Sequence, residues 1–325
     1  MSSPPKFTVV STFSGCGGSS LGYQLAGGKV LLAVECDDNA VETYRLNFPD
    51  TPIYHSDICK LTAEEALRLA GLKPGELNVL DGSPPCQGFS TAGKRDFGDD
   101  RNQLFREYVR LLQGLRPRAF VMENVSGMVK GKMKLIFAEC LRELKASGYK
   151  VKARVLNAMY YNVPQSRQRL IFIGVRNDLG VEPSHPKPQT RPIGAGTIKT
   201  ISEPRLANSE RVDRMALRLR QGMSGDELPE NKGNAFGLKR IDPRKPCPTI
   251  LKGWTAGTGL IHWTENRFIS IPEMAQLASF GIDYKWQGTP KQAVERIGNS
   301  VPPNFMRAIA EHVYETVLKH GGTGR

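Results

Sequence analysis

One cysteine stands where a reactive side chain is expected. Cys86 lies in Ser83-Pro84-Pro85-Cys86-Gln87, directly after the apolar run of residues 77–80. Such a run predicts a buried strand, and open α/β sheets carry their chemistry beyond the carboxyl ends of their strands. Two prolines stiffen the backbone before the thiol. Cys86 is therefore a candidate nucleophile, although an unpaired cysteine can equally be a buried packing residue.

Two further groups of polar residues flank predicted strands. Glu123 ends the fifth predicted strand, where a carboxyl group close to a thiol can act as a general acid on a heterocycle, or can cap a helix or pair with a cation. Gln165, Arg167 and Arg169 precede the seventh strand at alternate positions, so on extended chain they share a face. Arginines held in this way bind carbonyl or phosphate oxygens, unless the run is only a solvated charged surface.

A glycine-rich turn follows the first predicted strand. Residues 13–18 read Phe-Ser-Gly-Cys-Gly-Gly, and glycines permit sharp turns and close approach of a ligand. Glu35 ends the second strand, where an acid can accept hydrogen bonds from ribose hydroxyls, and Asp57 follows the third, where it can accept from an adenine amino group. The turn alone is often structural, but with two acids at this spacing it favours a nucleoside-cofactor site. It does not match the dinucleotide pattern Gly-x-Gly-x-x-Gly.

These residues need a scaffold that brings strand ends together. Up to residue 176, short apolar runs alternate with helical patterns, which predicts an α/β fold with a doubly wound, mostly parallel sheet. The predicted strands are residues 7–13, 30–35, 53–55, 77–80, 119–122, 151–156 and 170–175. The predicted helices are residues 20–26, 39–47, 63–69, 103–115 and 134–147.

The composition and periodicity of the sequence change after residue 176. Residues 177–265 are rich in proline and glycine, with clear periodicity only at 212–219, and indicate a smaller loop-rich domain. Helical patterns return at residues 272–280 and 305–318. We therefore expect a first catalytic and cofactor-binding part at 1–176, a second domain at 177–265, and a return segment at 266–325 that completes the first.

Composition restricts the class of protein. The 325 residues carry a net charge of +13, which favours a polyanionic partner such as nucleic acid. The six cysteines form no Cys-x-x-Cys pair, so we expect neither a metal site nor a disulfide framework. We see no apolar run of membrane-spanning length and no signal peptide, which favours a cytoplasmic protein.

Taken together, the motifs resemble those of the DNA (cytosine-5) methyltransferases. Phe-Ser-Gly-Cys-Gly-Gly, Pro-Pro-Cys-Gln-Gly-Phe-Ser, Glu-Asn-Val, Gln-x-Arg-x-Arg and Ile-Gly-Asn-Ser-Val-Pro-Pro occur in the order and spacing of that family. They cover nearly the whole chain except residues 177–265, where the family carries its variable target recognition domain. The resemblance implies a Rossmann-like catalytic domain, dependence on S-adenosylmethionine, and packing of the carboxyl-terminal helix onto the amino-terminal sheet.

The resemblance also implies roles for the catalytic residues. Cys86 would add to carbon-6 of a cytosine flipped out of duplex DNA, so that carbon-5 can accept a methyl group. Glu123 would hydrogen-bond the N3/N4 edge and protonate N3. Arg167 would hold the O2 carbonyl and support Cys86, while Arg169 would steady Glu123 or nearby backbone.

Binding residues follow from the same resemblance. Those implied for the cofactor are Phe13, Ser14, Gly15, Gly17, Gly18, Glu35, Asp57, Ile58, Pro84, Leu104, Asn299 and Val301. Those implied for DNA are Ser90, Lys94 and Arg101 in a loop after Cys86, together with Gln165, Thr249 and Ile250. The resemblance further implies a monomer of the prokaryotic cytoplasm that acts on double-stranded DNA, associates with the nucleoid through it and needs no metal. A cognate restriction endonuclease is the partner that such a system can contain.

Three alternatives remain on the sequence alone. The RNA-acting branch of the same family methylates transfer RNA by the same chemistry, but its Cys-Phe-Thr tripeptide is absent here. A nicotinamide dehydrogenase would explain the glycine turn and Glu35, yet it leaves Cys86, Glu123 and the arginines without a role. A non-catalytic DNA-binding relative is disfavoured because every chemical position is intact.

Overall fold

The computed structural model describes residues 4–85, 103–231, 237–255 and 257–319. Its centre is a sheet whose strands have the bounds β1 Phe7–Thr12, β2 Gly28–Glu35, β3 Ile53–His55, β4 Val79–Gly82, β5 Ala119–Val125, β6 Tyr149–Asn157 and β7 Gln168–Arg176. The helices are α1 Gly18–Leu25, α2 Asp38–Asn47, α3 Ala63–Ala70, α4 Gln103–Leu115, α5 Lys134–Ala146, α6 Glu210–Ala216, α7 Ile271–Leu277, α8 Pro290–Asn299 and α9 Pro303–Val313.

The sheet order is β3-β2-β1-β4-β5-β7-β6. Neighbouring strands from β3 to β5 run parallel, whereas β7 is antiparallel to both β5 and β6. The predicted mostly parallel α/β fold is thus confirmed. The reversal of β7 places its first residues, instead of its last, at the edge where β1, β4 and β5 end.

Apolar residues cover both faces of the sheet. One face packs against α3, α4 and α5 through residues such as Leu80 and Phe120. The other packs against α1 and α9 through residues such as Val79 and Val121. Strands buried on both faces read as continuous apolar runs, which is why the sequence located them.

The carboxyl-terminal helix returns to the amino-terminal part of the chain, as expected. Phe305 is fully buried in the α1/α9 core. A Cβ atom added at Gly22 of α1 would lie 2.6 Å from Met306 Cβ of α9, so the glycine permits the two helices to approach closely. The end of the chain therefore helps to build the fold begun by its first strand.

The segment after β7 contains little regular structure, in agreement with its proline and glycine content. It contributes a short parallel pair, β8 Gly237–Arg240 and β9 Thr258–Ile261. A buried ion pair lies where this segment meets α7: Arg267 donates from both terminal nitrogens to the two carboxylate oxygens of Glu273, each at 2.8 Å. Neither side chain is more than 4% exposed.

One helix was absent from the sequence prediction. α8 begins after Thr289, whose hydroxyl accepts from the Gln292 amide while the Gln292 side chain accepts from the Thr289 amide. This Thr-x-x-Gln capping box, followed by Pro290 at the first helical position, was a readable signal for a helix start. No helix in the described part of the chain is long and apolar enough to cross a membrane.

Candidate active site

A cavity of about 460 Å³ opens at the edge of the sheet where β1, β2, β4 and β5 end. The predicted residues that line it are Phe13, Ser14, Gly15, Gly18, Glu35, Pro84, Glu123, Arg167, Arg169, Asn299 and Val301. The cavity thus brings together residues from five separate motifs. They lie at strand ends, at the start of β7 and in the segment after α8. Cys86, Ser90, Lys94 and Arg101 lie outside the described residues.

The glycine turn forms one wall of the cavity. Phe13, Gly15 and Gly17 all have positive φ angles, at 54°, 54° and 96°, so the chain reverses sharply between β1 and α1. A Cβ atom at Gly18 would lie 2.4 Å from the carbonyl oxygen of Val301. The absence of a side chain at Gly18 therefore permits the segment after α8 to close this wall.

Glu35 organises the turn through backbone amides. Its Oε2 accepts from Gly15 N at 2.8 Å, and its Oε1 accepts from Cys36 N at 2.8 Å and Asp37 N at 2.9 Å. A carboxylate offers about four acceptor sites, so about one remains for a ligand. The sequence predicted a ligand-binding acid here but not its second role in fixing the turn.

Four predicted cofactor residues lie outside the cavity lining. Asp57 accepts from Cys59 N at 2.9 Å and begins a short 3₁₀ turn; these hydrogen bonds hold its pKa below the ordinary value. Ile58 is buried, and Leu104 packs against the same apolar cluster, which Phe13 also joins. Gly17 is likewise not in the lining; a Cβ atom there would overlap the ring of Phe48.

The opposite wall holds the candidate catalytic acid. Arg169 Nε lies 2.7 Å from Glu123 Oε1, and the side chains are 15% and 13% exposed. Asn124 follows Glu123 and donates from Nδ2 to the Pro84 carbonyl oxygen at 3.2 Å. The loop that leads into Cys86 is therefore tied to the strand that carries the acid.

Arg167 is buried and braces two distant segments. Its Nη1 donates to the Ile250 carbonyl oxygen at 3.2 Å and its Nη2 to the Gly298 carbonyl oxygen at 2.8 Å. Burial and the nearby charge of Arg169 lower the pKa of Arg167, while Glu123 acts in the opposite direction. Both terminal nitrogens are thus hydrogen-bonded within the protein, whereas Nε has no hydrogen-bond partner among the described residues.

Gln165, Thr249 and Ile250 form a latch in this structure. Gln165 Oε1 accepts from Ile250 N at 3.2 Å, and Thr249 Oγ1 donates to the Ser166 carbonyl oxygen at 2.7 Å. Gln165 and Ile250 are each only 1% exposed. Both side chains are packed inside the protein and hold the variable segment against the start of β7, and their contact with DNA stays a prediction.

The cavity also contains residues that the sequence analysis missed. Arg296 of α8 lies in the lining and pairs from Nη1 with Asp37 Oδ1 at 2.7 Å. Lys252 also lines it, directly after the latch. Arg296 lies two residues before the Gly298-Asn299 motif, and this nearness to a recognised motif could have identified it as a site residue. Lys252 offered none, since its position depends on tertiary contacts.

Comparisons with known proteins show the family to which the chain belongs. The model of the C-5 cytosine-specific DNA methylase family matches residues 7–315. The chain is 35% identical to the type II methyltransferase M1.HphI of Haemophilus parahaemolyticus, over 94% of this chain and 86% of that protein. It is 30% identical to the type II methyltransferase M.XorII of Xanthomonas oryzae pv. oryzae, over 95% of this chain and 85% of that protein.

Solved structures show the same fold. An E. coli prophage protein described as a DNA modification methyltransferase superposes with a TM-score of 0.78 at 26% identity, covering 95% of this chain and 99% of the other. Spodoptera frugiperda DNMT2 superposes with a TM-score of 0.69 at 19% identity, covering 94% of this chain and 98% of the other, and supports the fold alone. With the family model spanning nearly its whole length, this chain belongs to the C-5 cytosine-specific DNA methylases and is an S-adenosylmethionine-dependent DNA cytosine methyltransferase.

Proposed function

We propose that this protein methylates carbon-5 of a cytosine within a specific duplex sequence, with Cys86 as nucleophile and Glu123 as acid. The observation that carries the proposal is the continuity of one cavity from the glycine turn to Pro85 and the Glu123–Arg169 pair. Cys86 is covalently next to Pro85. A methyl donor and a nucleophile can therefore reach the same cytosine from the two ends of this cavity.

The residues present fit S-adenosylmethionine. The cavity volume of about 460 Å³ falls in the range of roughly 300–1,000 Å³ that small-molecule sites occupy. A Cβ atom at Gly15 would meet no heavy atom within 4 Å, so the turn leaves open space beside it. Glu35 offers an acceptor for a ribose hydroxyl, and Phe13, Pro84 and Val301 offer apolar surface. When bound, this group supplies an electrophilic methyl carbon.

The chain's own residues then account for activation of the cytosine. Addition of the Cys86 thiolate to carbon-6 forms a C–S bond and shifts electron density toward carbon-5 and N3. Glu123 donates its proton to N3, so an O–H bond breaks as an N–H bond forms. Arg169 stabilises the resulting carboxylate at 2.7 Å. After methylation N3 returns its proton to the Glu123 carboxylate, and a base such as water takes the proton from carbon-5. Elimination then breaks the C–S bond, which restores aromaticity and frees Cys86 as a thiolate.

Arg167 contributes chiefly to the shape of the site. Both of its terminal nitrogens donate to backbone carbonyl oxygens, so we propose that only Nε is available to the O2 carbonyl of the base without rearrangement. This geometry favours a role in holding Ile250 and Gly298 together. We propose that the latch in turn positions Lys252 and residues 253–259 for contact with DNA.

We further propose that duplex DNA is the substrate and that the chain works in the cytoplasm as a monomer, beside a restriction endonuclease or alone. The basic net charge of +13 and the type II methyltransferases to which the chain is similar support the choice of duplex DNA. Incubation with labelled S-adenosylmethionine and either duplex DNA or transfer RNA is the test. Label in DNA, with bisulfite sequencing to locate it, is expected; label only in transfer RNA would contradict the proposal.

A further inference from the structure

Polar contacts form a closed ring at the end of the cavity that the glycine turn builds. Glu35 Oε2 accepts from Gly15 N, and Glu35 Oε1 accepts from Asp37 N. Asp37 Oδ1 in turn lies 2.7 Å from Nη1 of Arg296, which belongs to α8 near the other end of the chain. The glycine turn is thus connected to α8 through Glu35 and Asp37.

Arg296 closes the ring through its main chain. Its carbonyl oxygen accepts from Ser300 Oγ at 2.6 Å, and Ser300 Oγ lies 3.0 Å from Cys16 Sγ. Burial raises the pKa of the Cys16 thiol to about 11, and the hydrogen bond with Ser300 opposes that shift. The thiol therefore keeps its proton at neutral pH and donates to Ser300. Because Cys16 follows Gly15 in the turn, the ring is complete, and every member of it lines the cavity.

Within this ring, the pair of Asp37 and Arg296 joins two ionised side chains. The Arg296 side chain is only 10% exposed, whereas that of Asp37 is 44% exposed. Arg296 Nη2 lies 3.4 Å from Glu295 Oε1, and its Nε has no hydrogen-bond partner among the described residues. Burial of an arginine is costly, and a partly exposed carboxylate offsets little of that cost. The pair is therefore better explained by the geometry that it enforces than by a gain in stability.

That geometry concerns two groups of residues in the cavity wall. Arg296 lies about one helical turn before Asn299, the last residue of α8, and both Asn299 and Val301 line the cavity. On the other side, Glu35 lies two residues before Asp37. A link between Asp37 and Arg296 therefore sets the distance between the acid implied for the ribose and the segment after α8.

We propose that Arg296 is a positioning residue for S-adenosylmethionine, which acts through its ion pair with Asp37. The pair holds Asn299 and Val301 at a fixed distance from Glu35, so that the cavity has the shape of the cofactor before the cofactor binds. This inference rests on the proposed function, since it takes the cavity to be the cofactor site. Arg296 acts through Asp37 and not by a contact of its own with the cofactor.

The test is a double-mutant cycle in which calorimetry measures the affinity for S-adenosylhomocysteine. Asp37→Ser keeps a residue that can cap α2 but is too short to reach Arg296, and Arg296→Met keeps an unbranched side chain without charge. Each change should weaken binding about tenfold, and the double variant should bind about as weakly as either single variant, because both changes remove the same contact. Arg307→Met, which breaks an exposed pair with Glu311 on α9, is the matched control and should bind normally.

Two further measurements separate positioning from a purely structural role. In turnover, KM for S-adenosylmethionine should rise about tenfold in Arg296→Met while kcat changes little, because no group that acts on the base is altered. The free energy of unfolding of the unliganded protein in urea should also change little, because replacement of a buried ionic side chain by an apolar one is often neutral.

The outcomes are distinguishable. Losses of affinity that add in the double variant would overturn the proposal, because Arg296 would then act without Asp37. A loss of stability with unchanged affinity would overturn it as well, since the pair would then be structural only. Coupled losses of affinity in a protein that methylates no DNA would instead contradict the proposed function.

Discussion

Arg169 reaches Glu123 because β7 runs antiparallel to β5. The two residues are offset by two positions in the ladder, where Val125 pairs with Arg169 and Glu123 pairs with Ile171, so their side chains lie on one face. Their Nε and Oε1 atoms are 2.7 Å apart. Had β7 been parallel, Arg169 would lie at the opposite edge of the sheet.

The nucleophile assignment predicts the behaviour of Cys86→Ser. A serine hydroxyl is far less ionised than a thiol, so we expect methyl transfer to fall on the order of 10³-fold or more. Binding of S-adenosylhomocysteine, followed by calorimetry, should stay close to that of the unmodified protein. Substantial remaining methylation would move the nucleophile elsewhere.

The acid assignment predicts that Glu123→Gln slows methylation by about 10²–10⁴-fold. Glutamine retains the shape and can still accept from Arg169, but it has no proton of the required acidity. Affinity for DNA in a band-shift assay should change little. Equal losses of rate and of DNA affinity would point to a structural role instead.

Because Glu35 holds the glycine turn through backbone amides, we predict that its substitution weakens cofactor binding. Glu35→Gln replaces one acceptor oxygen by a donor amide that faces backbone N–H groups, at a cost of about 1–3 kcal/mol. We expect S-adenosylhomocysteine to bind about tenfold more weakly or worse. Glu42→Gln, on the exposed side of α2, is the control and should bind normally.

Close packing at Gly298 predicts that a single methyl group disrupts the site. A Cβ atom there would lie 2.5 Å from the backbone of Leu251 and Lys252, which cannot move independently of the latch. We expect Gly298→Ala to lower the free energy of unfolding by about 1–3 kcal/mol and to reduce methylation. Gly127→Ala, where a Cβ atom meets nothing within 4 Å, should unfold like the unmodified protein in urea.

The buried pair of Arg267 and Glu273 predicts a pH dependence of stability. Burial alone would raise the pKa of Glu273, but hydrogen bonds from Arg267 and from the Ser270 amide hold it below its ordinary value. A lowered carboxyl pKa stabilises the fold above the unfolded value of about 4.3, and this contribution is lost as pH falls. Glu273→Gln should therefore cost about 3–5 kcal/mol at pH 7 and progressively less below about pH 4 in chemical denaturation. A difference that does not depend on pH would contradict this.

The sequence by itself determined the parts that depend on local pattern. Strands buried on two faces read as apolar runs, and helices show their periodicity, so β1 to β7 and most helices were located within a few residues. The motif residues Glu35, Glu123 and Arg169 were identified from their position at strand ends. The helix α8 was missed although its Thr289–Gln292 capping box was present in the sequence.

Only the tertiary structure decided which side chains face the cavity and which face the protein. Gln165 and Ile250 belong to motifs, yet both are buried in the latch, where they contact each other. Because 85 residues separate them in the chain, no local pattern predicts this contact. Asp81 directly follows the predicted fourth strand, and its pairing with Ser11 of β1 exists only through the register of β4 on β1. Strand order and direction are set by packing over long sequence separations, which no local pattern encodes.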